Sequence, residues 1–240
     1  MTRADGRAAD ALRPLKMMPG FISSATGSVL IEQGSTRVIC TAMVEESVPM
    51  WMRGRGTGWV TSEYGMLPGS TGDRKPRDAS RGRVDGRTIE IQRLIGRSLR
   101  SVVDMRGLGE RTVWIDCDVI QADGGTRCAA ICGGYVALHL ALQRLVDARR
   151  LERLPLTDSV AAVSVGIVAG QPLLDLAYVE DSRAEVDMNV VMSGGGGLIE
   201  VQATGEQMPF GRASLDELLE LAAGGIDQLS AAQQAVLAGG

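Results

Sequence analysis

The stretch from residue 111 to about 149 constrains the fold more than any other. "RTVWIDCDVIQ" alternates apolar and polar residues with the period of two that a strand requires. "ADGG" supplies a turn, and "TRCAAICGGYVALHLALQRLVDARR" continues as a helix. Apolar and small residues nearly surround that helix, so it belongs at the centre of the fold. Its first turn carries Arg127, although cations are favoured at the opposite end of a helix.

The rest of the chain reads as two strand-rich halves, each followed by helix. Residues 27 to 44 form two β-rich runs around a Gln33-Gly34-Ser35 turn, a hairpin signal. "GWVTSEY" (58 to 64) reads as a strand. Residues 65 to 86, with five glycines and two prolines, read as a loop that is mobile without a ligand. In 87 to 104, Ile91, Leu94, Ile95, Leu99, Val102 and Val103 fall near helical spacing. Strands are expected near 159 to 169, 173 to 178, 187 to 193 and 198 to 203, the last two joined by "SGGGG". A final helix is expected from Ser214, where Ser214 and Glu217 suit a capping box, with Gly224 and Gly225 positioned to kink it. The pattern predicts an α/β or α+β chain, with residues 1 to 240 as one domain.

Composition narrows the function. A hydrophobic content of 45% supports a full core. With 3% aromatics, that core must be aliphatic. No apolar run is read as membrane-spanning, and "MTRADGRAAD" lacks the apolar core of a secretory signal. The expectation is a soluble cytoplasmic protein with no membrane partner. Cys40, Cys117, Cys128 and Cys132 form no CxxC pair and read as buried thiols. His139 is the only histidine and lies within a helix, which argues against a Ser-His-Asp or Cys-His triad. Charge is uneven. Residues 53 to 111 hold 13 of the 25 basic residues and 7 acids, a surplus of +6, while the whole chain is at −4. Only Lys16 and Lys75 are lysines, and arginine suits phosphate through its planar fork. Genomic base composition accounts for much of that preference but not for the clustering.

Three constellations could carry chemistry. Gly124, Gly125, Thr126 and Arg127 join a strand to a helix N-terminus, whose unpaired N–H groups favour an anion. The plain alternative is a tight turn with an exposed arginine. The spacing is not that of a nucleotide-binding GxxxxGK[ST] loop. "RVDGRTIE" repeats the logic, with Arg87 at another helix start. In "LLDLAYVEDSRAEVDMNVV", the acids Asp175, Glu180, Asp181 and Asp187 surround a strand–loop–strand and suit Mg²⁺. A solvated acidic loop is the alternative. Chemistry from such groups would be electrostatic, without a protein nucleophile.

These motifs, in order, resemble the ribonuclease PH family of phosphate-dependent 3′→5′ exoribonucleases. The resemblance rests on "RADGR", "RGRGTGWVTSEYGMLPGST", "GRTIEIQRLIGRSLRSVVD", "DCDVIQADGGTR" and "LDLAYVEDSRAEVDMNVV", and spans nearly the whole chain. Polynucleotide phosphorylase and exosome ring subunits are more distant resemblances. The resemblance implies an α+β fold like ribosomal-protein-S5 domain 2, with duplicated β and α units. It implies phosphate binding by Arg87, Gly125, Thr126 and Arg127, and catalysis by Arg127 with Asp181 and Asp187, which would also hold Mg²⁺. It places Arg74 and Arg77 on the RNA 3′ end. Inorganic phosphate would be the co-substrate, the precursor tRNA 3′ end the substrate and nucleoside diphosphates the products, with a reverse reaction that adds nucleotides. Family members assemble as a homo-hexamer, a trimer of dimers. Three positions depart from the family pattern: Gly69 where arginine is common, Asp85 where serine is usual, and Cys128 in place of threonine. The alternative is a non-catalytic RNA-binding ring subunit of an exosome-like assembly, which should have lost the arginines or the carboxylates.

Overall fold

Two sheets enclose one helix. The computed structural model describes residues 3 to 206 and 208 to 239, apart from the side chains of Ala79 and Arg81. The first half forms β1 (Leu15–Pro19), β2 (Gly27–Gln33), β3 (Thr36–Glu45), β4 (Trp59–Met66), α1 (Asp78–Arg81), α2 (Gly86–Arg100), α3 (Met105–Leu108) and β5 (Thr112–Gln121). Helix α4 (Thr126–Asp147) follows. The second half forms β6 (Val160–Val168), β7 (Gln171–Leu174), α5 (Tyr178–Asp181), β8 (Val186–Ser193), β9 (Leu198–Gly205) and α6 (Arg212–Ala238). The first sheet has the order β1-β2-β3-β5-β4 and the second β7-β6-β8-β9. All pairings are antiparallel except β4 with β5.

Helix α4 packs on β2, β3 and β5 of one sheet and on β6 of the other. Ile131, Leu138 and Leu142 are fully buried, and each such side chain contributes about 1.5–3 kcal/mol by leaving water. Close approach is written into the sequence: a Cβ at Gly27 of β2 would stand 2.2 Å from the Ala137 carbonyl oxygen. The main core is a continuous cluster running from Met17 to Leu229 across both halves, with a small separate cluster of Leu173, Leu176 and Ala184. By length and a hydropathy of 1.4, α4 does reach membrane-spanning character, against the sequence expectation. Most of it (72%) is buried between the sheets, and this explains its all-round apolarity.

Several element boundaries differ from the sequence reading. The segment 65–86 holds the short α1. Helix α2 stops at Arg100, and Asp104 caps α3 by accepting from the N–H groups of Arg106 and Gly107. The strand expected at 173–178 lies at 171–174. Asp175 at φ +53° ends it, and α5 occupies the following residues. Helix α6 starts at Arg212 with Gly211 as its cap, so Ser214 and Glu217 lie inside it and form no capping box. The helix runs unbroken through Gly224 and Gly225 to Ala238. Gly225 serves close packing instead, because a Cβ there would meet Leu174 at 2.6 Å.

Candidate active site

The turn between β5 and α4 is built around two left-handed glycines, Gly124 at φ +75° and Gly125 at φ +64°. L-residues avoid this region, and a Cβ at Gly124 would also collide with the Leu176 carbonyl oxygen at 2.5 Å. Gly125 caps α4 without a side-chain bond, so the first-turn N–H groups lack intrahelical partners. Thr126 is buried, and its hydroxyl shares a 2.9 Å hydrogen bond with Tyr64. Arg127 donates to Gln202 Oε1 at 2.7 Å and lies 3.4 Å from Glu90 Oε1. Gln202 Nε2 also donates to Glu90 Oε1 at 3.3 Å, so strand β9 and helix α2 hold this arginine through one linked polar group.

The turn is braced from beneath by Arg13. Its guanidinium is 3% exposed, pairs with Asp175 at 2.7 Å, and donates to the carbonyls of Asp123 and Gly124. Thr36 Oγ1 donates to the Gly124 carbonyl at 2.7 Å. Arg13 thus ties the glycine turn to the residue that ends β7.

Of the five acids in 175–187, the four singled out in the sequence, Asp175, Glu180, Asp181 and Asp187, split into two pairs. Asp175 is 1% exposed and meets Arg13. Glu180 accepts two bonds from Arg3, at 2.8 and 2.7 Å, and lies 3.6 Å from Arg7. Burial alone would raise the Glu180 carboxyl, but the Arg3 and Ala177 hydrogen bonds and the charges of Arg3 and Arg7 hold it below its usual range. Asp181 and Asp187 instead face the cleft. Burial raises Asp181, opposed by Arg87 and Arg127. Burial and the charge of Asp181 push Asp187 up to about 6, with Arg127 opposing.

These groups line one cleft of about 610 Å³. It brings together Arg87 at the start of α2, the turn Gly124–Arg127, and the carboxylates Asp181 and Asp187. Arg74 is exposed and does not line it, and Arg77 borders a neighbouring cavity of about 280 Å³. Asp85 caps α2 and lines that neighbouring cavity, away from the glycine turn. Gly69 faces open space, so a side chain fits there. Cys128 is buried and its thiol donates to Asn189 Oδ1 at 3.3 Å. All four cysteines are free and buried.

Sequence reasoning missed Lys75 and Asn189, which also line the cleft. The signal that could have found Lys75 is its rarity, as one of only two lysines in an arginine-rich chain. Gln202, Glu90 and Arg13 were missed because their partners lie 75, 37 and 162 residues away.

A cleft that gathers two arginines, a helix start and two carboxylates, on a duplicated β/α frame, suits an enzyme of phosphoryl chemistry. Comparison identifies the family. The model of the 3′ exoribonuclease family, domain 1, matches residues 11–142, and that of domain 2 matches residues 158–225. The chain is 58% identical over 237 residues to ribonuclease PH of Syntrophomonas wolfei, covering 99% of both chains. The chain belongs to the 3′ exoribonuclease family and is a phosphorolytic 3′ exoribonuclease of the ribonuclease PH type. Its fold also matches rice (Oryza sativa) Rrp46, with a TM-score of 0.80, 18% identity and coverage of 98% of this chain and 100% of that one. An Archaeoglobus fulgidus exosome with RNA bound to the active site gives a TM-score of 0.79 at 22% identity, covering 95% and 91%. At such identities these two matches speak for the fold alone.

Proposed function

We propose that this enzyme trims the 3′ end of precursor tRNA, with inorganic phosphate held by Arg87, Arg127 and the N–H groups opening α4. The observation that carries this reading is the convergence of both arginines, the helix start and the Asp181–Asp187 pair on one cleft. Phosphate is the nucleophile. One of its oxygens attacks the phosphorus of the terminal nucleotide, and the bond to the preceding ribose 3′ oxygen breaks. A nucleoside diphosphate leaves, and the shortened RNA keeps a 3′ hydroxyl. One phosphate linkage replaces another, so excess diphosphate drives the reverse, nucleotide-adding reaction.

Two anions must meet, and the chain's own residues offset the repulsion. Arg127, braced by Gln202, and Arg87 at the α2 start fix the attacking phosphate in place. Lys75 adds a cation to the cleft lining. The fit for Mg²⁺ rests on the donor set. Asp181 and Asp187 are two hard oxygen donors, and burial first and the charge of Asp181 second raise Asp187. No cluster of three metal-ligating side chains occurs among the described residues. Mg²⁺ commonly takes one or two carboxylates and completes its shell with water and substrate phosphate. Bound there, it supplies neutralisation of charge on the reacting phosphate oxygens.

Assembly as a homo-hexamer, a trimer of dimers, is part of the proposal, as is a cytoplasmic location. Leu198 and Val201 on the edge strand β9, at 56% and 38% exposure, support an uncovered subunit face. A silent ring subunit would need neither phosphate arginines nor a carboxylate pair, and this chain has both. Arg127→Ala tests the reading. The phosphate concentration for half-maximal trimming should rise roughly 10- to 150-fold, as expected when a charge-assisted bond is removed. An unchanged phosphate requirement would remove Arg127 from the site.

A further inference from the structure

The cleft uses only part of the basic surplus in residues 53–111. Arg53, Arg55 and Arg93 are exposed and make no ion pair among the described residues. Their positions form a track. Arg87, in the first turn of α2, lines the cleft. Arg93, Arg97 and Arg100 follow at i, i+4 and i+7, along one face. At about 1.5 Å per residue, α2 spans roughly 20 Å. Its far end meets an aromatic pair: the Arg100 guanidinium stacks over Trp59 at 4.5 Å. Trp51 packs edge-on to Trp59 with ring centroids 5.2 Å apart. Trp51 is 57% exposed and its neighbour Met50 82%. The turn that follows Trp51 carries Arg53 and Arg55.

We propose that this face, from Arg93 to the Trp51–Trp59 pair, holds the single strand of RNA upstream of the reacting 3′ end. The inference rests on the exoribonuclease reading and extends it beyond the cleft. Exposed indole is a stacking platform for any base, and cations beside it serve the phosphates between bases. Arg97 is committed to Glu200, at 2.7 Å, so the free charge lies at Arg93, Arg53 and Arg55. That charge favours RNA over a protein partner. Burying three unpaired guanidinium groups in a subunit interface is costly, and interface cores are depleted in charge.

Length dependence tests it. Trimming is compared on RNA of about 4 and about 16 nucleotides, the range that single-strand sites span. Trp51→Ala should raise KM for the long RNA roughly tenfold, the effect of removing one stacked base. It should leave the short RNA and the phosphate requirement unchanged. Trp51→Phe should restore the long-RNA KM, and long RNA alone should quench tryptophan fluorescence. Arg93→Gln should flatten the salt dependence of long-RNA binding by about 0.7 in log–log slope. An unchanged long-RNA KM in Trp51→Ala overturns the proposal. So does a fall in assembled mass by light scattering, because the face would then be a subunit interface. Failure of the short RNA to react with phosphate in the unsubstituted enzyme would instead overturn the exoribonuclease reading itself.

Discussion

Asp175 and Glu180 differ from Asp181 and Asp187 in what surrounds them, not in what they are. All four fall in one stretch of 13 residues. The first two turn inward and meet Arg13, Arg3 and Arg7. The other two open on the cleft without a salt bridge among the described residues, and Asp187 is pushed up to about 6. A carboxylate with a buried guanidinium partner stabilises the fold. A pair of carboxylates facing each other costs stability and holds binding capacity in reserve for a cation. Neutralising an acid should therefore have opposite effects on stability in the two pairs.

The largest effect expected is at the inward pair. Glu180→Ala leaves Arg3, 2% exposed, without its carboxylate. Breaking a buried pair from one side costs about 3–5 kcal/mol, a fall in melting temperature on the order of 10 °C for a chain of this size. The Glu180 carboxyl is held below its unfolded value. Its stabilising contribution is thus present above that value, near neutral pH, and is lost as pH falls through the lowered pKa. The difference between Glu180→Ala and the unsubstituted protein should shrink in acid. A deficit that persists unchanged in acid would remove the ion pair as its cause.

The cleft pair comes next, with the sign reversed. Asp187→Asn should lower turnover by about 10²- to 10³-fold, through weaker stabilisation of developing charge. It should also raise the melting temperature of the metal-free protein at pH 7.5. The Asp187 carboxyl lies above its unfolded value, so its penalty on folding grows as pH rises and is complete above about 6. The gain from Asn should vanish near pH 4. A substitution that lowers the melting temperature at pH 7.5 would mean that Asp187 has a stabilising partner after all.

The smallest effect expected lies in the exposed loop. Arg74→Ala with Arg77→Ala should weaken RNA binding and reduce its salt slope by about 0.7 for every RNA phosphate that the variant no longer neutralises. Gly69→Arg should increase that slope, because nothing lies within 4 Å of the position. Phosphate affinity should not move in either variant. An unchanged salt slope in both would take the loop out of RNA binding.

The same contrast explains what the sequence made legible. Gly124, Gly125 and Arg127 could be read because a strand, a left-handed turn and a helix start are local, with their physics contained in a dozen residues. Arg87 was legible for the same reason. The division of the four acids was not, because the partners of Asp175 and Glu180 come from residues 3 to 13, more than 160 positions away. Lys75 was hidden in a glycine-rich loop without periodicity. The start of α6 was misplaced because Ser214 and Glu217 fit a cap, whereas Phe210 packs against the core and the helix begins directly behind it. Tertiary burial overrode the local signal there.

The most direct measurement is the chemical identity of the released nucleotide. RNA with a 3′ tail is incubated with the enzyme and Mg²⁺, with and without inorganic phosphate, and the products are separated. If phosphate bound by Arg87, Arg127 and the α4 N-terminus is the nucleophile, nucleoside diphosphates appear only when phosphate is present. Nucleoside monophosphates released at full rate in phosphate-free buffer would make water the nucleophile and contradict the account.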